Sequence, residues 1–142
     1  MANAGPPIKR ATAQRAYDAF LDRVEKANAS DDYVDRVVLV VLFGSFLDPD
    51  RDPVNDVDLA IAIDHKEIDA ALREAKKEER RQMAEDAGRH FGDFIERLFW
   101  PSTELRLYLK SRSRVLSIAD AQDGILKQAP SRVVYTADNG RV

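Results

Sequence analysis

The run Val37-Val-Leu-Val-Val-Leu-Phe43 is apolar at every position and dense in β-branched residues. Side chains of a strand alternate between two faces, so a strand apolar on both must be covered on both. Such a strand lies inside a sheet, and the rest of the chain has to supply its neighbours and its covering layers. Asp56-Val-Asp-Leu-Ala-Ile-Ala-Ile63 reads as a second strand, polar only where it begins. Phe94-Ile-Glu-Arg-Leu-Phe-Trp100, aromatic and bounded by Gly92 and Pro101, reads as a third, and Arg132-Val-Val-Tyr-Thr136 as a last.

Between these segments the pattern turns helical. From Ile8 to about Ala29, residues Ala13, Ala16, Tyr17, Phe20, Leu21 and Val24 recur at steps of three and four and form one apolar face. His65 to about His90 predicts a long charged helix that buries Ile68, Ala71, Leu72, Ala75, Met83 and Ala87. Pro101-Ser-Thr-Glu104 predicts a helix start capped by Ser102, with Leu105, Tyr108 and Leu109 turned inward. Leu116 to Gln128 is ambiguous, helical toward its end. Strands separated by helices imply an α/β fold: a small mixed β-sheet of about four strands flanked by helices. The 142 residues suit one domain. It is expected over residues 9–136, between a flexible N-terminus (1–8) and a tail (137–142).

Composition removes whole classes of chemistry. With no cysteine there is no disulfide framework, no thiolate metal site and no cysteine nucleophile. His65 and His90 are the only histidines, too few for a histidine-rich metal centre, and both read as surface residues at helix ends. A net charge of −3 argues against a surface built to grip nucleic acid. No segment approaches the roughly 20 apolar residues of a membrane span, and the start lacks an apolar core behind a basic end. The expected location is cytoplasmic.

The chemistry concentrates in Phe43-Gly-Ser-Phe-Leu-Asp-Pro-Asp-Arg-Asp-Pro-Val-Asn-Asp-Val-Asp-Leu59. Asp56 and Asp58 stand two apart at the head of a strand, so both carboxylates point to one face. Like charges held together repel, and each costs free energy to take from water, unless a cation sits between them. Oxygen ligands alone indicate a hard cation, Mg²⁺ or Mn²⁺, which keeps open positions for water and phosphates. Gly44 lets backbone approach a ligand closely, and Ser45 adds a hydroxyl donor suited to a triphosphate tail. Gly-Ser closes one strand and Asp-x-Asp opens the next, so adjacent pairing would bring the two together.

This pattern of apolar strand, Gly-Ser, ten residues (Phe46 to Asn55) and Asp-x-Asp resembles the signature of the nucleotidyltransferase superfamily that includes DNA polymerase beta. It is closer to the minimal nucleotidyltransferases, often antitoxin partners of HEPN-domain toxins. The resemblance rests on Gly44, Ser45, Asp56 and Asp58, firm over Val37 to Ile63 and looser to Tyr135. It implies transfer of a nucleoside monophosphate, AMP from ATP, to a hydroxyl acceptor, with a HEPN-type toxin as the implied acceptor. It also implies a third metal-binding carboxylate on a later strand, for which Glu96 is the best match. Asp93, Glu104 and Asp120 are weaker candidates. The alternative is a degenerate member that neutralises its partner by docking.

Two other motifs compete. Asp48-x-Asp50-x-Asp52 imitates the opening of a calcium loop, but Pro53 and Leu59 occupy the places that need Gly and Glu. These aspartates read instead as a polar, turn-rich lid. Lys110-Ser-Arg-Ser-Arg114 could contact phosphates or RNA, although a solvated helix end accounts for it more simply.

Overall fold

Helix α1 (Arg10–Ala29) and strand β1 (Asp35–Phe43) form where the two periodicities place them. The computed structural model describes residues 6–121 and 130–142. A single 3₁₀ turn (Ser45–Leu47) follows β1 and leads through a loop to β2 (Val57–His65), antiparallel to β1, with Phe43 opposite Asp58. Two helices, α2 (Ala70–Asp86) and α3 (Phe94–Lys110), then cross to β3 (Leu116–Asp120), which lies parallel to β2. β4 (Ser131–Thr136) returns beside β1, and β5 (Gly140–Arg141) closes the edge. The sheet order is β3-β2-β1-β4-β5, mixed in direction. The α/β reading holds with five strands rather than four, and part of the expected tail is the fifth.

One face of the sheet packs on α1 and α3. Val37, Val40 and Leu42 of β1, Val57, Leu59 and Ile61 of β2 and Leu116 of β3 meet Phe20, Leu21 and Val24 of α1 and Leu105 and Leu109 of α3. The alternate positions of β2, Asp58, Ala60 and Ala62, point to the opposite face. At the start of β1, Asn28 of α1 stands in for a missing strand neighbour. Its Oδ1 accepts from Val37 N at 2.8 Å, and its Nδ2 donates to Val37 O and to the Tyr135 hydroxyl at 2.9 Å.

The third strand expected over Phe94 to Trp100 is the first half of α3. Asp93 caps the helix by accepting from Glu96 N at 2.8 Å, so the helix starts at Phe94, seven residues before Pro101, and Ser102 is not its cap. Pro101 therefore sits inside a helix, where it cannot donate to the carbonyl four residues back, Arg97 O. Arg81, buried in α2, supplies the missing donor: its Nε donates to Arg97 O and its Nη2 to Leu98 O, both at 3.0 Å. That contact was beyond reach of local propensity.

The second helix is also shorter than its expected His65–His90, and its apolar face does not pack inward. Ile68, Leu72 and Met83 are exposed. α2 joins α3 through charged groups instead: Arg97 with Glu78 and Glu85 at 2.9 Å, and Arg80 with Glu104 at 2.6 Å. Leu116 to Asp120, left ambiguous by its pattern, is strand β3, and the rest of that expected helix lies outside the described residues. The N-terminal segment is tied down from Ile8, which exchanges two 2.8 Å backbone bonds with Val54. No helix among the described residues is long and apolar enough to cross a membrane.

Candidate functional site

Antiparallel pairing of β1 and β2 brings the Gly44-Ser45 turn against the head of β2. Gly44 has φ 79° and ψ −162°, a region essentially restricted to glycine. A Cβ there would overlap Oδ2 of Asp58 and lie 3.1 Å from its Cγ, so the carboxylate of Asp58 occupies the space that the missing side chain leaves. Ser45 Oγ accepts from Asn55 N at 3.0 Å, pinning the residue just before Asp56. Four of the residues singled out by the pattern, Gly44, Ser45, Asp56 and Asp58, thus converge at one end of the sheet.

The electrostatics follow from that packing. Asp58 is half-buried, and burial pushes its carboxyl above the ordinary carboxylate range, with the charge of neighbouring Asp56 adding to the rise. Among the described residues no hydrogen-bond donor or cationic side chain contacts either carboxylate. Their donor set, two hard oxygens of like charge side by side, fits a divalent cation of the Mg²⁺ type.

Glu96 is not part of this cluster. It lies in the first turn of α3, exposed, with its carboxylate accepting from Gly92 N at 2.6 Å. Lys110, at the other end of α3, donates to Leu116 O, and Leu116 pairs with Val57. The 14 residues from Glu96 to Lys110 span about 21 Å of helix, so Glu96 stands at the far end of the molecule from Asp58. Its role is to satisfy backbone at a helix start. Asp93 is the cap of that helix, Glu104 pairs with Arg80 and Asp120 with Arg106, so none of the weaker candidates joins the aspartates either. No cluster of three metal-ligating side chains occurs among the described residues.

The position beside Asp58 on the next strand belongs to Ser117. The β2–β3 register sets Asp58 opposite Ser117, and the buried neighbours Val57 and Leu116 fix both side chains on the same face. Across the sheet the row reads Ser117, Asp58, Phe43, Ser131. Pattern reading had no means of finding Ser117, because its partnership with Asp58 spans the whole α2–α3 crossover.

Arg10 is the other residue that pattern reading passed over. It stands at the first position of α1 and holds the loop between the Gly-Ser turn and Asp56. Its guanidinium donates to Phe46 O at 2.9 Å, Asp48 O at 2.8 Å and Arg51 O at 3.1 Å, and lies 4.5 Å from the centre of the Phe46 ring. Asp52 accepts from Arg10 N at 3.0 Å, a carboxylate on a helix N-terminus, and Asp48 accepts from Asp50 N. Two of the three spare aspartates, Asp48 and Asp52, thus serve a turn and a helix start through their carboxylates.

Of the remaining candidates, Lys110 anchors the turn into β3 and the backbone of Ser111 and Arg112 is left-handed, as at a helix end. His65 is exposed and 3.4 Å from Asp35, and Trp100 is buried beneath Arg89. Compared with known proteins, the chain matches no family model, no curated protein and no solved structure.

Proposed function

We propose that the chain is a divalent-metal-dependent nucleotidyltransferase of the minimal type, moving a nucleoside monophosphate, AMP from ATP, to a hydroxyl on a partner protein. The observation that carries this reading is the seating of Asp58 on Gly44 with Asp56 alongside, which joins the two halves of the Gly-Ser and Asp-x-Asp pattern. Asp56 and Asp58 would hold the cation, Mg²⁺ or Mn²⁺. Bound there, the ion would neutralise charge that develops on the transferred phosphoryl group. Gly44, by lacking a Cβ, lets the Asp58 carboxylate sit against the turn, and Ser45 presents a hydroxyl at the same turn to a triphosphate tail. The attacking hydroxyl oxygen would bond to the α-phosphorus and give up its proton to solvent as the bond from the α-phosphorus to the bridging oxygen of the β-phosphate breaks and pyrophosphate leaves. The resemblance supports a HEPN-type toxin as acceptor, and a cytoplasmic antitoxin role.

A second reading has its own support. Ser117 stands beside Asp58 where a third carboxylate would complete the metal site. A site with two carboxylates among the described residues suits a nucleotide-binding module that silences a partner by docking. Labelled ATP separates the two readings. Transfer of label to the partner, dependent on Mg²⁺ and abolished by Asp58→Asn, is expected of the enzyme. Neutralisation that survives Asp58→Asn with no transfer supports docking. A chain that neither binds Mg²⁺–ATP nor transfers label overturns both.

A further inference from the structure

One apolar stripe of α3 is buried over half its length and bare over the other half. Phe94, Leu98, Pro101 and Leu105 follow at intervals of four, three and four, so they share one face of the helix. Pro101 and Leu105 are buried. Phe94 and Leu98 continue the same stripe beyond the sheet, joined by Ile95 and Phe99, and are 73%, 42%, 56% and 57% exposed in that order. Taking roughly 200 Å² for each large side chain, these four leave about 450 Å² of apolar surface in water. An ordinary dimer interface takes about 800 Å² from each partner, somewhat over half of it apolar. The stripe therefore supplies what one side of such an interface needs.

We infer that this stripe is a homodimer interface, in which the first halves of two α3 helices pack antiparallel about a two-fold axis. The reason for a second copy lies in the shape of the patch. Phe94 projects from one end. A cavity of about 400 Å³, lined by Leu98, Phe99, Pro101 and Ser102 with Arg81 and Lys77 at its side, opens at the other. An isologous contact requires that what projects on each copy fit what is hollow on its partner. Antiparallel pairing centred between Arg97 and Leu98 sets Phe94 of each copy against the Pro101 turn of the other, over that cavity. Asp35, Glu74 and Lys77 then form the polar rim. The inference is independent of the proposed chemistry, since Asp58 lies at the far end of α3.

Sedimentation equilibrium of the full chain tests it together with cross-linking. The wild type is expected to be a dimer at micromolar concentration, and Phe94→Glu a monomer with unchanged far-UV circular dichroism. Because the chain has no cysteine, Leu98→Cys puts a lone thiol beside the two-fold axis, and mild oxidation is expected to give a covalent dimer. Leu107→Cys, on an exposed part of α3 outside the stripe, is expected to give none. A wild type that stays monomeric overturns the inference and leaves the stripe to a different protein. A dimer that survives Phe94→Glu, or that cross-links through position 107 and not 98, overturns it as well, and this second readout stands if Phe94→Glu fails to fold.

Discussion

Asp58 is set against the folded state by its own surroundings. Burial and the charge of Asp56 raise its carboxyl above the ordinary range. An acid that holds its proton more tightly in the folded chain than in the unfolded one favours folding only while protonated. The penalty is absent well below the unfolded value near 3.9, grows as pH rises from there toward the folded value, and is complete above it. Asp58→Asn is therefore expected to raise the metal-free melting temperature at pH 7 and to lose that advantage below about pH 4, where the native aspartate is neutral too. Mg²⁺ should raise the melting temperature of the wild type, more so with ATP, and leave the variant unmoved. Differential scanning calorimetry at both pH values decides this, and a variant that melts lower at pH 7 without metal would make the pair structural. At this scale the sequence was legible where spacing carried the information. Gly44, Ser45, Asp56 and Asp58 lie on a hairpin whose two strands announce themselves. Ser117 did not, because its place beside Asp58 depends on a strand pairing that no local pattern encodes.

The two helices of the crossover show why element type can be misread. Phe94 to Trp100 carries the aromatic and branched residues of a strand, and flanking Gly92 and Pro101 invite that reading. Asp93 followed three residues later by Glu96 is the signal that was overlooked, a helix-start spacing ahead of an apolar segment. Pro101 misled for a different reason. Its cost inside a helix is offset by Arg81 from another element, so the sequence alone makes the helix look forbidden. Arg81→Ala would leave Arg97 O and Leu98 O without that donor and should destabilise the chain by about 2 kcal/mol. Pro101→Ala restores a backbone N–H to Arg97 O. In that background Arg81→Ala should cost about 1 kcal/mol less, a coupling that urea denaturation of the four proteins would measure. Additive effects would show that Arg81 does not act through the proline.

At the level of the whole molecule, the sheet is held to α1 by a polar device as well as by the core. Asn28 satisfies both backbone groups of Val37 and reaches Tyr135, so one side chain links α1, β1 and β4. Asn28→Ala is expected to cost about 2–3 kcal/mol, the range for leaving buried backbone groups unpaired, and to lower the unfolding midpoint without changing its slope. A loss below about 0.5 kcal/mol would mean that water replaces the amide. The α/β class was readable because β1 is apolar on both faces and α1 on one. The strand count was not, since β3 is five residues of mixed polarity and β5 only two. The amphipathic face of α2 was read from its spacing, yet spacing cannot say whether such a face meets the body of its own chain.

The loop that carries the Gly-Ser turn to Asp56 is laced to the chain's beginning, through Ile8 on Val54 and Arg10 on Phe46, Asp48 and Arg51. Any molecule that stiffens or displaces this loop must pull on the first turn of α1. Slowed amide exchange there on adding a nucleotide would register occupancy from a distance. A fusion joined directly ahead of Ile8 would, by the same linkage, load the loop it was meant to leave untouched.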